Sequence, residues 1–293
     1  MTSNLAQRIA VSAIAIPVAV GLIRLGGWPL AAALAVLGVL GTREVYDLAR
    51  RQGIAPLRLV GYAAAAAIPL ATFWAKGSER PWAAPALYAG AVWLMLVMVS
   101  AMARGPEARP LSTVAVTVFG VLYASGLLSF LIAIRHGGGV GGVGGGSTAA
   151  LAWPATWLVL LPLALTWIGD TCAMAAGTLL GGPKLAPVLS PRKTWAGAVG
   201  GTAGAIVAAL LIGRLILPRV GVHLGVWVLA TVGVVLAVAG QVGDVAESLL
   251  KREVGVKDSS ALIPGHGGVL DRLDSLYFVI PSAAGLYKLF GIV

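Results

Sequence analysis

Apolar residues run along this chain in long blocks separated by short polar segments. Nine blocks reach the length, roughly 20 helical residues, that crosses about 30 Å of hydrocarbon. They run from Ile9 to Leu25, Trp28 to Leu48, Leu59 to Ala75, Trp82 to Ala103, Ser112 to Ile134, Ala149 to Asp170, Trp195 to Leu217, His223 to Gly243 and Ser275 to Val293. Lipid offers backbone amides no partners, so each segment must pair its own. Blocks this long, rich in Ala and Leu, also lack the two-residue alternation of a membrane barrel. The expected fold is all-α: a polytopic integral membrane protein of about nine transmembrane helices. Three regions follow: a multi-span region over 1–135, a Gly-rich linker over 136–148, and a C-terminal membrane region over 149–293.

Composition sharpens this picture. Of the 293 residues 58% are hydrophobic and 11% charged, with a mean hydropathy of +0.92. That charged fraction is under half the roughly 25% of an ordinary soluble domain, which excludes a soluble enzyme. The apolar content also excludes a disordered chain, and the 40 glycines keep no three-residue period that would suggest collagen. One cysteine, Cys172, permits no intramolecular disulfide.

The net charge of +10 arises from 21 Lys and Arg against 11 Asp and Glu. These cations sit between apolar runs rather than on one soluble face, which argues against nucleic acid as partner and for loops that meet anionic lipid. With the N-terminus inside, 14 of the 21 fall on the cytoplasmic side of a nine-span chain, so the N-terminus is expected to be cytoplasmic. The polar segments Gly181 to Thr194 and Asp244 to Asp274 then share the inner face of the cell's inner (plasma) membrane. Arg8 before the first block resembles the start of a secretory signal. No small-residue cleavage pattern closes that block, however, and it is expected to stay as an anchor.

Two glycine-rich stretches read as structure rather than chemistry. The run from Gly137 to Gly146, GGGVGGVGGG, has no Lys-Ser/Thr ending and no preceding strand, so it is a linker rather than a phosphate loop. In the seventh block, Gly197, Gly200, Gly201 and Gly204 place small residues four apart, a pattern that lets another helix approach closely.

Six of the eleven acidic residues, Asp244, Glu247, Glu253, Asp258, Asp271 and Asp274, lie within 31 residues at the end of the eighth block. If that helix continues, Asp244, Glu247, Ser248 and Lys251 share one face, at i, i+3, i+4 and i+7. Asp271 and Asp274 repeat the three-residue offset. Two such acidic faces supply the hard oxygen ligands that Mg2+ takes, while no Cys pair or His-x-x-x-His offers a zinc site. A solvated helix end with Asp–Lys pairs is the plainer explanation. It weakens because a carboxylate at membrane depth costs about 2.5–3.5 kcal/mol. Asp170, at the end of the sixth block, raises the same question.

Cations and donors are interleaved with these acids: Lys251, Arg252, Lys257, His266 and Arg272, with His266 set between glycines in PGHGG. A second basic element, SPRKT from Ser190 to Thr194, precedes the seventh block. Such a set suits phosphoryl chemistry, where cations spread the charge that develops in the transition state.

The stretch from Ser248 to Asp274, SLLKREVGVKDSSALIPGHGGVLDRLD, resembles throughout its length the signature of the phosphatidate cytidylyltransferases, or CDP-diacylglycerol synthases. SPRKTWAG and DTCAMAAGTLLGG also look like motifs of that family, so the resemblance covers about Thr166 to Asp274. Ala196 stands where the family commonly has an acid, and Met174 where it has an aromatic. The resemblance implies transfer of a cytidylyl group from CTP to phosphatidate, with metal dependence and a homodimeric enzyme among membrane lipids.

On that reading Asp244 and Asp271 hold Mg2+, with a second ion, divalent or K+, beside it. Both are catalytic together with Lys251 and Arg252. Ser190, Lys193, Thr194, Ser248, Lys257, Asp258, His266, Arg272 and Asp170 bind substrate, while Glu247 and Asp274 hold the cations in place. Two alternatives remain: the same transfer to an ether-lipid or polyprenyl phosphate, and an ion-coupled transporter, which the polar groups at a single face disfavour.

Overall fold

In the computed structural model the apolar blocks are helices. The structure describes residues 2–76, 83–137, 153–263, 265 and 267–293. The helices are α1 (Thr2–Leu25), α2 (Gly27–Arg51), α3 (Arg58–Lys76), α4 (Ala83–Met102), α5 (Pro110–Val121), α6 (Leu127–Arg135), α7 (Trp153–Leu180), α8 (Trp195–Leu215), α9 (Val226–Glu253), α10 (Leu270–Leu273) and α11 (Leu276–Leu289). A π turn, Leu122–Gly126, joins α5 to α6 without ending the rod.

Among the described residues seven segments are long and apolar enough to cross a membrane: Gly27–Arg51, Arg58–Ala75, Pro85–Met102, Pro110–Arg135, Trp153–Leu180, Trp195–Leu215 and Val226–Glu253. The first expected span is covered by α1, a helix of 24 residues, and the last comes out shorter. α1 contributes the apolar stretch Val11–Leu25. α11 has 14 residues, about 21 Å of helix. Conversely, α7 does not stop at Asp170 but runs a further ten residues, to Leu180. The Gly-rich run lies outside the described residues, apart from Gly137.

One feature departs from an all-helical reading. Between α7 and α8 the chain forms a small antiparallel hairpin, β1 (Lys184–Ala186) with β2 (Ser190–Thr194), pairing Lys184 with Thr194 and Ala186 with Ser190. Gly181 and Gly182, at φ of 64° and 94°, end α7 in a conformation that side chains with a Cβ resist, and Pro183 then forbids helical continuation. Thr194 closes β2 and starts α8: its hydroxyl accepts a hydrogen bond from Gly197 N at 3.1 Å.

The chain divides into two compact units. The first comprises α1 to Leu22, then Gly26–Ala133 and Glu253–Arg272. Its centre is the buried Tyr46 of α2, whose hydroxyl donates to Thr117 O of α5 at 2.9 Å. Thr117 Oγ1 in turn accepts from Leu57 N at 2.9 Å, and Ser125 Oγ in the π turn donates to Ala65 O of α3 at 2.6 Å. α4 joins this unit through a small cluster of Leu57, Val97 and Ala101.

The second unit comprises Ile23–Leu25, Ile134–Arg252 and Leu273–Val293. Here the glycines of α8 meet α7, as the four-residue spacing predicts. A Cβ on Gly197 would lie 2.8 Å from Ala173 O, and one on Gly201 2.9 Å from Gly169 O. Gly200 faces Ala176 and Gly204 faces Cys172 in the same way. Without a hydrophobic effect between lipid-solvated helices, association rests on such close contact. Arg135, 2% exposed, donates to Ile23 O at 2.7 Å and Arg24 O at 2.8 Å, satisfying carbonyls at the end of α1.

Candidate active site

The continuation of α9 past its apolar stretch is what assembles the second unit's polar cluster. Because the helix runs to Glu253, Asp244, Glu247, Ser248 and Lys251 do share one face. Glu247 is fully buried, and the Lys251 ammonium, 3.0 Å from its Oε1, supplies the countercharge. Breaking such a pair leaves an uncompensated charge in a poorly solvating interior, at a typical cost of about 3–5 kcal/mol.

Two further elements converge on Asp244. From β2, Lys193 places its Nζ 2.6 Å from Asp244 Oδ2, and Nζ also donates to Gln241 O at 3.5 Å. From the turn before α11 comes Asp274, and a glycine explains how it gets there. A Cβ on Gly243 would lie 2.7 Å from Asp274 O, so only a glycine at that point of α9 admits the turn. Burial and the like charge of Asp244 push the Asp274 carboxyl up to about 6, with a further push from Asp170 of α7. The Ser275 amide, which donates to Asp274 Oδ1 at 2.6 Å, and Lys251 act in the opposite direction. Asp170, Asp244, Asp274, Lys193 and Lys251 thus form one electrostatic neighbourhood drawn from α7, β2, α9 and the α10–α11 turn.

The first unit holds the rest of the signature. After α9 the chain turns through Lys257 and Asp258, both exposed, into a tight loop. Asp271 Oδ2 closes that loop by accepting from Ser259 N, Ser259 Oγ and Gly268 N, each at 2.8 Å. Ile263 N donates to Gly267 O at 2.8 Å in an isolated bridge. Arg272 is exposed next to Asp271. The candidate His266 lies outside the described residues.

Of the other sequence candidates, Ser248 is buried on α9 and Arg252 is exposed at its end. Ser190 is half-buried in β2, and Thr194 is buried as the α8 cap. Sequence reasoning passed over Glu44, Gln241, Ser259 and Ser260. Glu44 alone left a signal, as an acid within an apolar block. It is 3% exposed, and its two oxygens take four hydrogen bonds from the loop.

A family model described as the cytidylyltransferase family matches residues 6–290. The chain belongs to the cytidylyltransferase family. It is 30% identical over 298 residues to the phosphatidate cytidylyltransferase of Synechocystis sp., covering 94% of each chain. It is 46% identical over 138 residues to that of Brucella suis, 47% of each chain. With that of Staphylococcus epidermidis it shares 44% over 123 residues, 42% of this chain and 46% of the relative. The Brucella and Staphylococcus matches therefore span about half of those relatives' length.

In this cytidylyltransferase-family chain the carboxylate oxygens suit a hard divalent cation. Among the described residues no three His, Cys, Asp or Glu side chains are grouped as a ready-made metal cage.

Proposed function

We propose that the chain is a phosphatidate cytidylyltransferase of the bacterial inner membrane, working at the cytoplasmic face on CTP and phosphatidate. The observation that carries this reading is the Lys193–Asp244–Asp274 neighbourhood beside an apolar groove. The groove, about 740 Å³, runs between α8 and α9 and is lined by residues such as Trp195, Val199, Ile206, Val242 and Leu249. Its few polar residues include Gln241, whose carbonyl accepts from Lys193, the partner of Asp244. A substrate with a phosphate head and a hydrocarbon tail matches that sequence of surfaces.

The reaction is an in-line displacement. A phosphate oxygen of phosphatidate attacks the α-phosphorus of CTP, the α–β bridging P–O bond breaks, and pyrophosphate leaves with that electron pair. Phosphatidate is already ionised near neutral pH, so the main obstacle is repulsion between two anions rather than a missing base. Lys193 and Lys251 lower the charge around the carboxylates of the second unit. Arg252, Lys257 and Arg272 supply positive charge to polyphosphate. Ser190, Thr194, Ser248, Asp258, His266 and Asp170 complete the substrate set, and Glu247 and Asp274 hold their cations in place. Mg2+ bound at Asp244 would neutralise phosphate oxygens and favour departure of pyrophosphate. Sharing of that ion with Asp271, and a second ion beside it, rest on the signature.

The homodimer also rests on family resemblance, since the glycines of α8 are spent on α7 within one chain. The deciding experiment incubates purified protein with CTP labelled at its α-phosphate, phosphatidate and Mg2+, then extracts lipid. Label in the organic phase is expected. Label appearing only with an ether-linked or polyprenyl phosphate would reassign the acceptor, and no label with any acceptor would overturn the reading.

A further inference from the structure

We propose that Glu44, in α2, is a positioning residue for the nucleotide: it ties Ser259–Ser260 to Val269–Leu270 and so fixes the backbone from which Lys257 and Arg272 reach the polyphosphate. The inference rests on the cytidylyltransferase reading above and extends it to the N-terminal spans.

Four donors reach this one carboxylate. Oε1 accepts from Ser260 Oγ at 2.7 Å and Val269 N at 2.9 Å; Oε2 accepts from Ser259 Oγ at 2.9 Å and Leu270 N at 2.8 Å. The donors come from both ends of the loop, Ser259–Ser260 and Val269–Leu270. Glu44 therefore ties the loop's entrance to its exit, across more than 200 residues of sequence. Asp271 makes a second tie from within the loop, and the two share a donor. Ser259 Oγ lies 2.9 Å from Glu44 Oε2 and 2.8 Å from Asp271 Oδ2, so one hydroxyl hydrogen serves two carboxylates in turn.

The knot leaves no space for variation. A Cβ on Gly268 would overlap Ser259 Oγ and Glu44 Oε2. The neighbouring side chains point the other way in exposure: Lys257 and Asp258, just before Ser259, and Arg272, just after Asp271, are all exposed. A buried anchor thus fixes the backbone from which exposed charged groups depart. Preorganised groups act on developing charge without a reorganisation cost, so loosening the anchor should weaken their grip on polyphosphate. A carboxylate satisfied this fully does not itself take part in proton transfer or substrate contact.

The test is Glu44→Gln in the full-length protein. The substitution keeps the shape but converts one acceptor oxygen into an NH2 facing two donors. Expected are a 10- to 100-fold weaker Kd for CTP with Mg2+, a KM for phosphatidate within about twofold of wild type, and faster amide exchange at Val269 and Leu270. Glu44→Asp, which keeps both oxygens, should recover part of the CTP affinity. Unchanged CTP affinity with faster exchange would make Glu44 merely structural, and equal losses for CTP and phosphatidate would indicate general damage. Either result overturns the inference. If Glu44→Gln does not fold, Ser260→Ala, which removes one donor, decides by the same CTP-against-phosphatidate comparison with a smaller expected loss. Failure of the wild-type protein to bind CTP is a separate result: it sinks the cytidylyltransferase reading first, and this inference with it.

Discussion

The ammonium of Lys193 stands 2.6 Å from the Asp244 carboxylate, so charge ties the hairpin between α7 and α8 to the polar end of α9. Each partner orients the other, and both border the neighbourhood that includes Asp274. Lys193→Met should lower kcat by about 10²- to 10³-fold, in the range for loss of one preorganised electrostatic group, with Lys193→Arg less severe. Asp244→Asn should do comparable damage. Because the two side chains act as a unit, the double variant should fall well short of the product of the single effects. Steady-state kinetics on the four proteins gives the answer, and multiplicative effects would show that the contact has no catalytic consequence.

Packing of α7 on α8 yields a stability prediction independent of chemistry. At Gly201 a Cβ would lie 2.8 Å from Ala173 Cβ and 2.9 Å from Gly169 O, and a backbone oxygen cannot turn aside. Gly201→Val should therefore cost at least the 1–3 kcal/mol or so typical of overpacking and lower Tm by several degrees. Leu211→Ala, in the same helix but 53% exposed, should leave Tm nearly unchanged. Equal melting of both variants would mean that the helices separate without cost.

The sequence made some of this arrangement legible and hid the rest for physical reasons. The shared face of Asp244, Glu247, Ser248 and Lys251 follows from helical period alone, which is local information. The glycines of α8 were legible in the same way, as a spacing that only close packing explains. Asp170 and Asp274 join Asp244 through tertiary packing, and the permissive residue, Gly243, carries no chemical signal of its own. SPRKT was visible as a basic element but not as a strand, because Pro187 and Pro191 argue locally against pairing. Glu44 announced itself as an acid in an apolar block. Its four donors lie more than 200 residues away, beyond any periodicity.

The raised carboxyl of Asp274 predicts a particular pH dependence of stability. A displacement from the ordinary value near 4 to about 6 means that the folded protein holds a proton the unfolded chain has released across that interval. The contribution of Asp274 to stability then falls as pH rises from about 4 to about 6, by up to about 3 kcal/mol, and levels off above. Asp274→Asn removes this titration. In Mg2+-free buffer the Tm of wild type should drop relative to the variant between pH 4 and 6.5, with a constant difference at higher pH. A difference that grows in the opposite direction would mean that Lys251 and the Ser275 amide outweigh burial and the Asp244 charge.

A Mg2+ titration should separate the roles proposed for Asp244 and Asp271. Chelation should abolish turnover, and Mg2+ should restore it with saturation. Asp244→Asn, in a partly exposed cluster of carboxylates, should shift the half-saturating Mg2+ concentration upward by tenfold or more while leaving the signature loop protected from amide exchange. Asp271→Asn should behave differently, because Oδ2 accepts from Ser259 N, Ser259 Oγ and Gly268 N, and an amide NH2 in that place opposes all three donors. Its loss of activity should come with faster exchange in the loop, and excess Mg2+ should rescue it only in part. Full rescue of Asp271→Asn by Mg2+, with the loop still protected, would make its role that of a metal ligand alone and remove the structural one. Turnover of the wild-type protein in excess chelator would end the metal assignment for both.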